Sequence, residues 1–306
     1  MQLTKEKQET EMNSKLNFKI AGLIIRCVNV QNDEIPQEQP YTDFLTDPTE
    51  QEDILIRYRV CAEFPEPEGR LCYEDGRNRV YESCGRISRY AGNYNKISDL
   101  RGAVSCLQYR AADRRHYELL LKRESSLTMR MLFRGMGLDF LMALNRKIIL
   151  HSSYIAWKEK GIVFSAPSGT GKSTQAELWR KHRPGTEIIN GDRSILTCER
   201  GIPEVYGLPL CGSSGIAVNK SFPLGAVVVL RQAKTNTVRR LGVREAVSLI
   251  YSECGRSLWD RDAAANVLDV VSEIAESVPV YCLSCLPHSS AVDAMERALR
   301  KDFYDV

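Results

Sequence analysis

The chain has 306 residues, 43% hydrophobic and 26% charged, with a formal net charge of +3. That composition is globular, with enough length for one large core or two modest ones. The charge is too small to make nucleic acid the default partner, and no apolar run reaches the roughly eighteen residues of a membrane span.

Residues 1–15 are polar and charged and lack the apolar segment of a secretory leader, so a disordered tail is expected there. The ten cysteines of such a chain read as reduced thiols in a cytoplasmic protein. From residue 16 to about 124 the sequence is β-rich. Short alternating runs at 18–26, 53–60, 79–82 and 103–107 are separated by Pro, Gly, Asn and Asp clusters. Residues 32–52, polar and containing proline, read as a loop. The charged stretch 110–115 reads as a solvated face.

From residue 125 the texture changes. Leu127, Met131, Leu132, Gly135, Leu138, Leu141 and Met142 recur at helical spacing as far as Arg146. Strands are predicted at 147–157 and 161–165 around a turn at Lys158-Glu159-Lys160. A helix at 174–181 and a strand at 186–190 follow. Further strands are expected at 194–198, 203–206, 226–230 and 279–286, and helices at 243–252, 261–277 and 289–302. Cys282 and Cys285 have C-x-x-C spacing, but an odd step along a strand sends them to opposite faces. No second pair or histidine cluster accompanies them, so packing is the preferred role.

The chemistry concentrates at Ala166-Pro167-Ser168-Gly169-Thr170-Gly171-Lys172-Ser173. A strand, a glycine-bearing turn, Gly-Lys-Ser and a helix in that order form the layout of a phosphate-binding loop. Free backbone N–H groups and the helix dipole converge on one spot and favour an anion there. Ser168, Gly169, Thr170, Gly171, Lys172, Ser173 and Thr174 are the candidate nucleotide-binding residues. Lys172 supplies a cation for the β- and γ-phosphates, and the Ser173 hydroxyl suits Mg²⁺. Ala166 replaces the usual first glycine, which is acceptable where φ is negative. An ordinary left-handed turn before a helix is the competing reading. Asp192 ends the next strand and can reach the same site, as a Mg²⁺ ligand or as a proton acceptor. Its triplet Asn190-Gly191-Asp192 also reads as turn chemistry.

These residues resemble the kinase domain of HPr kinase/phosphorylase and, more distantly, the nucleotide domain of ATP-type phosphoenolpyruvate carboxykinase. His151 stands on the strand leading to the loop, as a histidine does in that kinase. Gly191-Asp192-Arg193 matches the first member of the family's Asp-Asp pair and departs at the second. Glu204-Val205-Tyr206-Gly207 looks like its E-I-R-G segment. Leu150-His151-Ser152-Ser153 and Tyr206-Gly207-Leu208-Pro209 bring the chain closer still to stand-alone bacterial relatives of that kinase domain, some of which phosphorylate peptide hydroxyls.

The resemblance implies a mixed α/β sheet and a carboxykinase-like P-loop kinase core over 125–306, behind the β-rich N-terminal region. It implies ATP and Mg²⁺ as cofactors, the latter on Ser173 and Asp192. The catalytic residues would be Asp192 as base toward an acceptor hydroxyl, His151 beside the phosphates or the base, and Lys172. The acceptor would be a peptide, protein or small-molecule alcohol, and a homo-oligomer is implied. Arg193 removes one anionic metal ligand and so favours a second reading, a nucleotide-binding regulator or ATPase without an acceptor. Carboxykinase chemistry would need further basic and metal-binding positions than those in view. Glu204 is a candidate replacement ligand. Arg231, Arg239, Arg240 and Arg256 are candidate contacts for an anionic substrate.

Overall fold

The computed structural model describes residues 15–31, 35–92, 104–123, 127–212 and 214–304. All of the expected tail except Lys15 lies outside these residues, as do Ala103, Ser125 and Ser126. The chain divides into two units, Met1–Leu138 and Asp139–Val306. Among the described residues it is a mixed α/β protein with two mixed sheets and six α-helices. No helix is long and apolar enough to cross a membrane.

The first unit is an eight-stranded sheet. Its strands are β1 (Lys15–Ile20), β2 (Leu23–Asn29), β3 (Ile54–Cys61), β4 (Arg70–Glu74), β5 (Asn78–Ser83), β6 (Arg86–Gly92), β7 (Val104–Arg110) and β8 (His116–Lys122). Their order is β1-β2-β3-β8-β7-β6-β5-β4. The two pairings flanking β3 are parallel. The run at 18–26 is two strands rather than one. Ala21 and Gly22 both have positive φ, 48° and 83°, the two-residue turn that matches strand twist in a hairpin. Helix α1 (Met129–Met136) lays Phe133 on Phe18 and Tyr41, with ring centroids 4.8 and 5.1 Å apart. Its last carbonyls would otherwise be orphans. Arg89 Nη2 donates to Gly135 at 2.8 Å and Gln108 Nε2 to Met136 at 2.6 Å.

The single helix expected through Arg146 is broken. Gly137 takes the left-handed conformation, φ 66°, and caps α1. A separate α2 follows at Leu138–Leu144. The second unit continues with β9 (Lys147–Trp157), β10 (Lys160–Ser165), α3 (Lys172–His182), β11 (Glu187–Asn190), β12 (Arg193–Glu199), β13 (Ile202–Tyr206) and β14 (Ser221–Gln232). It ends with β15 (Thr237–Arg240), α4 (Val243–Ser252), α5 (Arg261–Ser277), β16 (Val280–Cys285) and α6 (Ser289–Tyr304).

Two long strands tie its sheet together. The first half of β9 pairs antiparallel with β12, and its second half with β10. Strand β14 pairs with β13 at its start, then parallel with β10 on one side and β16 on the other. Phe164, Val228 and Leu283 from these strands, Trp179 from α3 and Met295 and Leu299 from α6 make one fully buried cluster. Trp157 meets Trp179 edge-on at 5.1 Å. The cluster fixes α3, and so the loop before it, against the carboxyl ends of β10 and β14. Crevices at the carboxyl ends of parallel strands are the usual ligand sites of such sheets.

Candidate active site

The loop at 166–171 leaves the end of β10 and runs into α3. Ala166 is buried and keeps a negative φ, which is why alanine serves there. Gly169 and Gly171 have φ of 78° and 113°, and an added Cβ at either would meet nothing within 4 Å. Those glycines are required by backbone conformation, and the space over the loop is open. Ser168 and Gly169 are exposed and Thr170 half-buried. Thr174 is exposed on the first turn of α3.

Lys172 is only 7% exposed. Its ammonium donates to the Ala166 carbonyl at 2.8 Å and to that of Pro167 at 3.3 Å. Burial lowers its pKa, while the charges of Glu253 and Asp192 work the other way. A buried cation held by carbonyls of a glycine-bearing turn, at the start of a helix, is a place where an anion would be favoured. The Ser173 hydroxyl donates to the Gly191 carbonyl at 3.2 Å, tying the helix start to the turn that carries Asp192.

That turn is organised by Asn190, which is fully buried. Its Oδ1 accepts from the backbone N–H of Asp192 (2.9 Å) and of Arg193 (3.0 Å). Its Nδ2 donates to the carbonyls of Leu208 (2.9 Å) and Leu210 (3.1 Å). Asn190 therefore performs the turn chemistry, and the Asp192 carboxylate projects toward its neighbours. Gly212 makes room for it, since a Cβ there would lie 2.7 Å from Asp192 Cγ.

His151 sits where β9 changes partner. It is opposite Arg193 on β12, and the next residue, Ser152, is opposite Ser165 at the end of β10. That crossover brings the histidine to the foot of the loop. Its Nε2 is 3.7 Å from Asp192 Oδ1, and its Nδ1 is 3.2 Å from Glu253 Oε2. Arg193 places Nε 3.4 Å from Asp192 Oδ2 and Nη1 3.9 Å from Asp139 Oδ1. Charged groups thus run in sequence from Asp139 through Arg193, Asp192 and His151 to Glu253.

The structure places His151, Asp192, Lys172 and Ser173 near one another. Glu253 was not anticipated. It follows the last residue of α4, and nothing in its local pattern marks it. Glu204 is not part of the group; its carboxylate accepts from the Tyr206 hydroxyl at 2.7 Å. Of the four candidate arginines, Arg239 forms a fork with Glu245, Arg240 pairs with Asp302, and Arg256 lies over the Tyr251 ring. Arg231 lines a cleft of about 540 Å³ beside the loop, together with residues 166–170, Gln232, Leu249 and Glu253. Sites for small molecules fall in that size range.

No disulfide joins any of the ten cysteines. Cys282 is buried, and Cys285 takes a hydrogen bond from Gln175 at 3.3 Å. Among the described residues no group of three or more His, Cys, Asp or Glu side chains is arranged to hold a metal. Ser173 and Asp192 offer a hydroxyl and a carboxylate oxygen, both hard donors, on either side of the Ser173–Gly191 hydrogen bond. That set fits Mg²⁺, which commonly takes one or two protein ligands and completes its shell with phosphate oxygens and water.

No family model and no curated protein matches the chain. Among solved structures it is similar to the Hpr(Ser) kinase/phosphatase from Coxiella burnetii, at 12% identity and a TM-score of 0.30, over 51% of this chain and 97% of that one.

Proposed function

We propose that the chain is an ATP-dependent kinase that transfers the γ-phosphoryl group to a hydroxyl of a peptide, protein or small alcohol. The observation that carries this reading is the convergence of a carboxylate, Asp192, and an imidazole, His151, on the foot of a phosphate loop whose lysine is buried. Phosphoryl transfer asks mainly for positioning and charge neutralisation.

Backbone N–H groups of residues 168–174 and the Lys172 ammonium bind the triphosphate. Ser173 and Asp192 would hold Mg²⁺, which when bound neutralises charge on the phosphate oxygens. Asp192 accepts the acceptor's hydroxyl proton as that oxygen bonds to the γ-phosphorus. The bond from the γ-phosphorus to its bridging oxygen breaks, and the electron pair leaves with ADP. His151 stands next in line to Asp192 for the proton.

Asp192→Asn tests the assignment. Binding of metal-free ATP is expected to stay within a few-fold, and transfer to fall by about 10²–10⁴, the usual worth of a positioned base. Unchanged transfer removes Asp192 from the role. The ion pair of Asp192 with Arg193 supports a second reading, an ATPase or nucleotide-binding regulator without acceptor, because it draws on the carboxylate that a base must keep available. Incubation with γ-labelled ATP and a cell lysate separates the two. Label on a discrete acceptor supports the kinase; free phosphate alone, or no turnover, supports the alternative.

A further inference from the structure

Glu253 is tied to His151 twice. The His151 backbone N–H donates to the Glu253 carbonyl at 3.0 Å, and the two side chains meet at 3.2 Å. The attachment extends to both neighbours: Leu150 bridges Cys254, and the Gly255 N–H donates to Ile149 at 2.8 Å. The end of α4 is therefore stitched along β9, and the Glu253 side chain, 17% exposed, has little freedom to leave. A carboxylate can only accept, which assigns the shared proton to His151 Nδ1. With Nδ1 committed, the ring's free edge, Nε2, faces Asp192.

We propose that Glu253 is a positioning residue. It orients the His151 ring so that Nε2 is held toward Asp192 and the reacting hydroxyl. This rests on the kinase reading of the site. Carboxylate partners fix the tautomer and ring plane of metal-bound histidines, where their loss typically costs 10–100-fold in affinity or activity; the same contact is made to the ring of His151, which is assigned no metal. The Glu253 charge also acts on Lys172. A carboxylate working through the lysine would alter nucleotide affinity, whereas one working through the histidine alters turnover. The two routes therefore separate in kcat against KM.

The test uses the full chain with Mg-ATP and whichever acceptor the labelling experiment reveals, comparing Glu253→Ala with Glu253→Gln. Glutamine keeps an oxygen that accepts from Nδ1–H and loses the charge. The expected result is a 10–100-fold lower kcat for Glu253→Ala, a KM for ATP within about twofold, and recovery of most of kcat by Glu253→Gln. A second readout needs no turnover. In the nucleotide-free protein, a slowly exchanging His151 Nδ1–H resonance should be present in the parent and in Glu253→Gln and absent in Glu253→Ala.

Unchanged kcat in Glu253→Ala, or a rise in the KM for ATP as its main effect, overturns the proposal and leaves the kinase reading intact. So does an Nδ1–H resonance that survives in the alanine variant. If no acceptor is ever labelled but the resonance depends on Glu253, the kinase reading fails and the orientation of His151 by Glu253 stands.

Discussion

Asn190 shows how a single buried amide can place a functional group that is not its own. Its side chain makes hydrogen bonds to two N–H groups and two carbonyls, all of them backbone. It frees the carboxylate two residues on from any duty in the turn. Asn190→Ala leaves those four groups without this partner, one of the bonds being buried and three part-buried; an unmet buried group costs on the order of 1–3 kcal/mol, and water reaches the part-buried ones. A loss of about 2–4 kcal/mol in unfolding free energy is expected, read from the shift in the urea midpoint at constant slope. The same variant should lower phosphoryl transfer, because Asp192 loses its fixed backbone.

At the scale of elements, the site is assembled where strands end or change partners. Strand β9 leaves β12 and joins β10 between His151 and Ser152, and β10 stops at Ser165, whose hydroxyl donates to the His151 carbonyl at 3.0 Å. The loop then turns into α3 through Gly171, the N-cap residue, at φ 113°. A side chain there would be strained by the backbone alone, since the space around it is open. Strain of this kind costs about 1–3 kcal/mol, and relief by a shift in the loop would displace the amides assigned to the triphosphate in the proposed function. Gly171→Ala is therefore expected to weaken nucleotide binding at least tenfold, measured by calorimetric titration, while the thermal midpoint moves by only a few degrees.

Over the whole molecule, several exposed carboxylates share one pH signature. Asp113 is held down to about 2 by the Arg115 N–H and by His116. Asp293 lies below its ordinary value because the Arg183 guanidinium binds it, and Glu245 because Arg239 does. In each case the folded pKa is below the unfolded one, so the unfolded chain binds more protons as the pH falls. Their contribution is complete above the ordinary carboxylate range and is lost as the pH falls through the depressed values. Thermal midpoints are expected to be flat from pH 7 to about 5 and to decline steadily below about 4. A midpoint that rises on acidification would contradict this assignment of charges.

Many elements with a buried face were legible in the sequence because burial imposes a period on it, though β6, which buries Ser88 to Tyr90, was not among them. Helices α4 and α5 and strands β9, β11 and β12 lie within a residue or so of their expected bounds. Strands β4 and β15 were missed for the complementary reason: neither buries a single residue. With no face against a core, no alternation is imposed. Strand β8, which does bury Tyr117 and Leu119 to Leu121, begins immediately after the charged stretch 110–115, which masked it.

The sequence by itself determined the loop, because a glycine-bearing turn between a strand and a helix is local. Its glycines, its lysine and its helix start are consecutive and answer to backbone geometry. It also pointed to Asp192 and His151. Only the tertiary structure decided that Glu253 closes on His151 from 102 positions away. That contact depends on where α4 ends against β9, which is settled by long-range packing and by a strand exchange that leaves no local pattern.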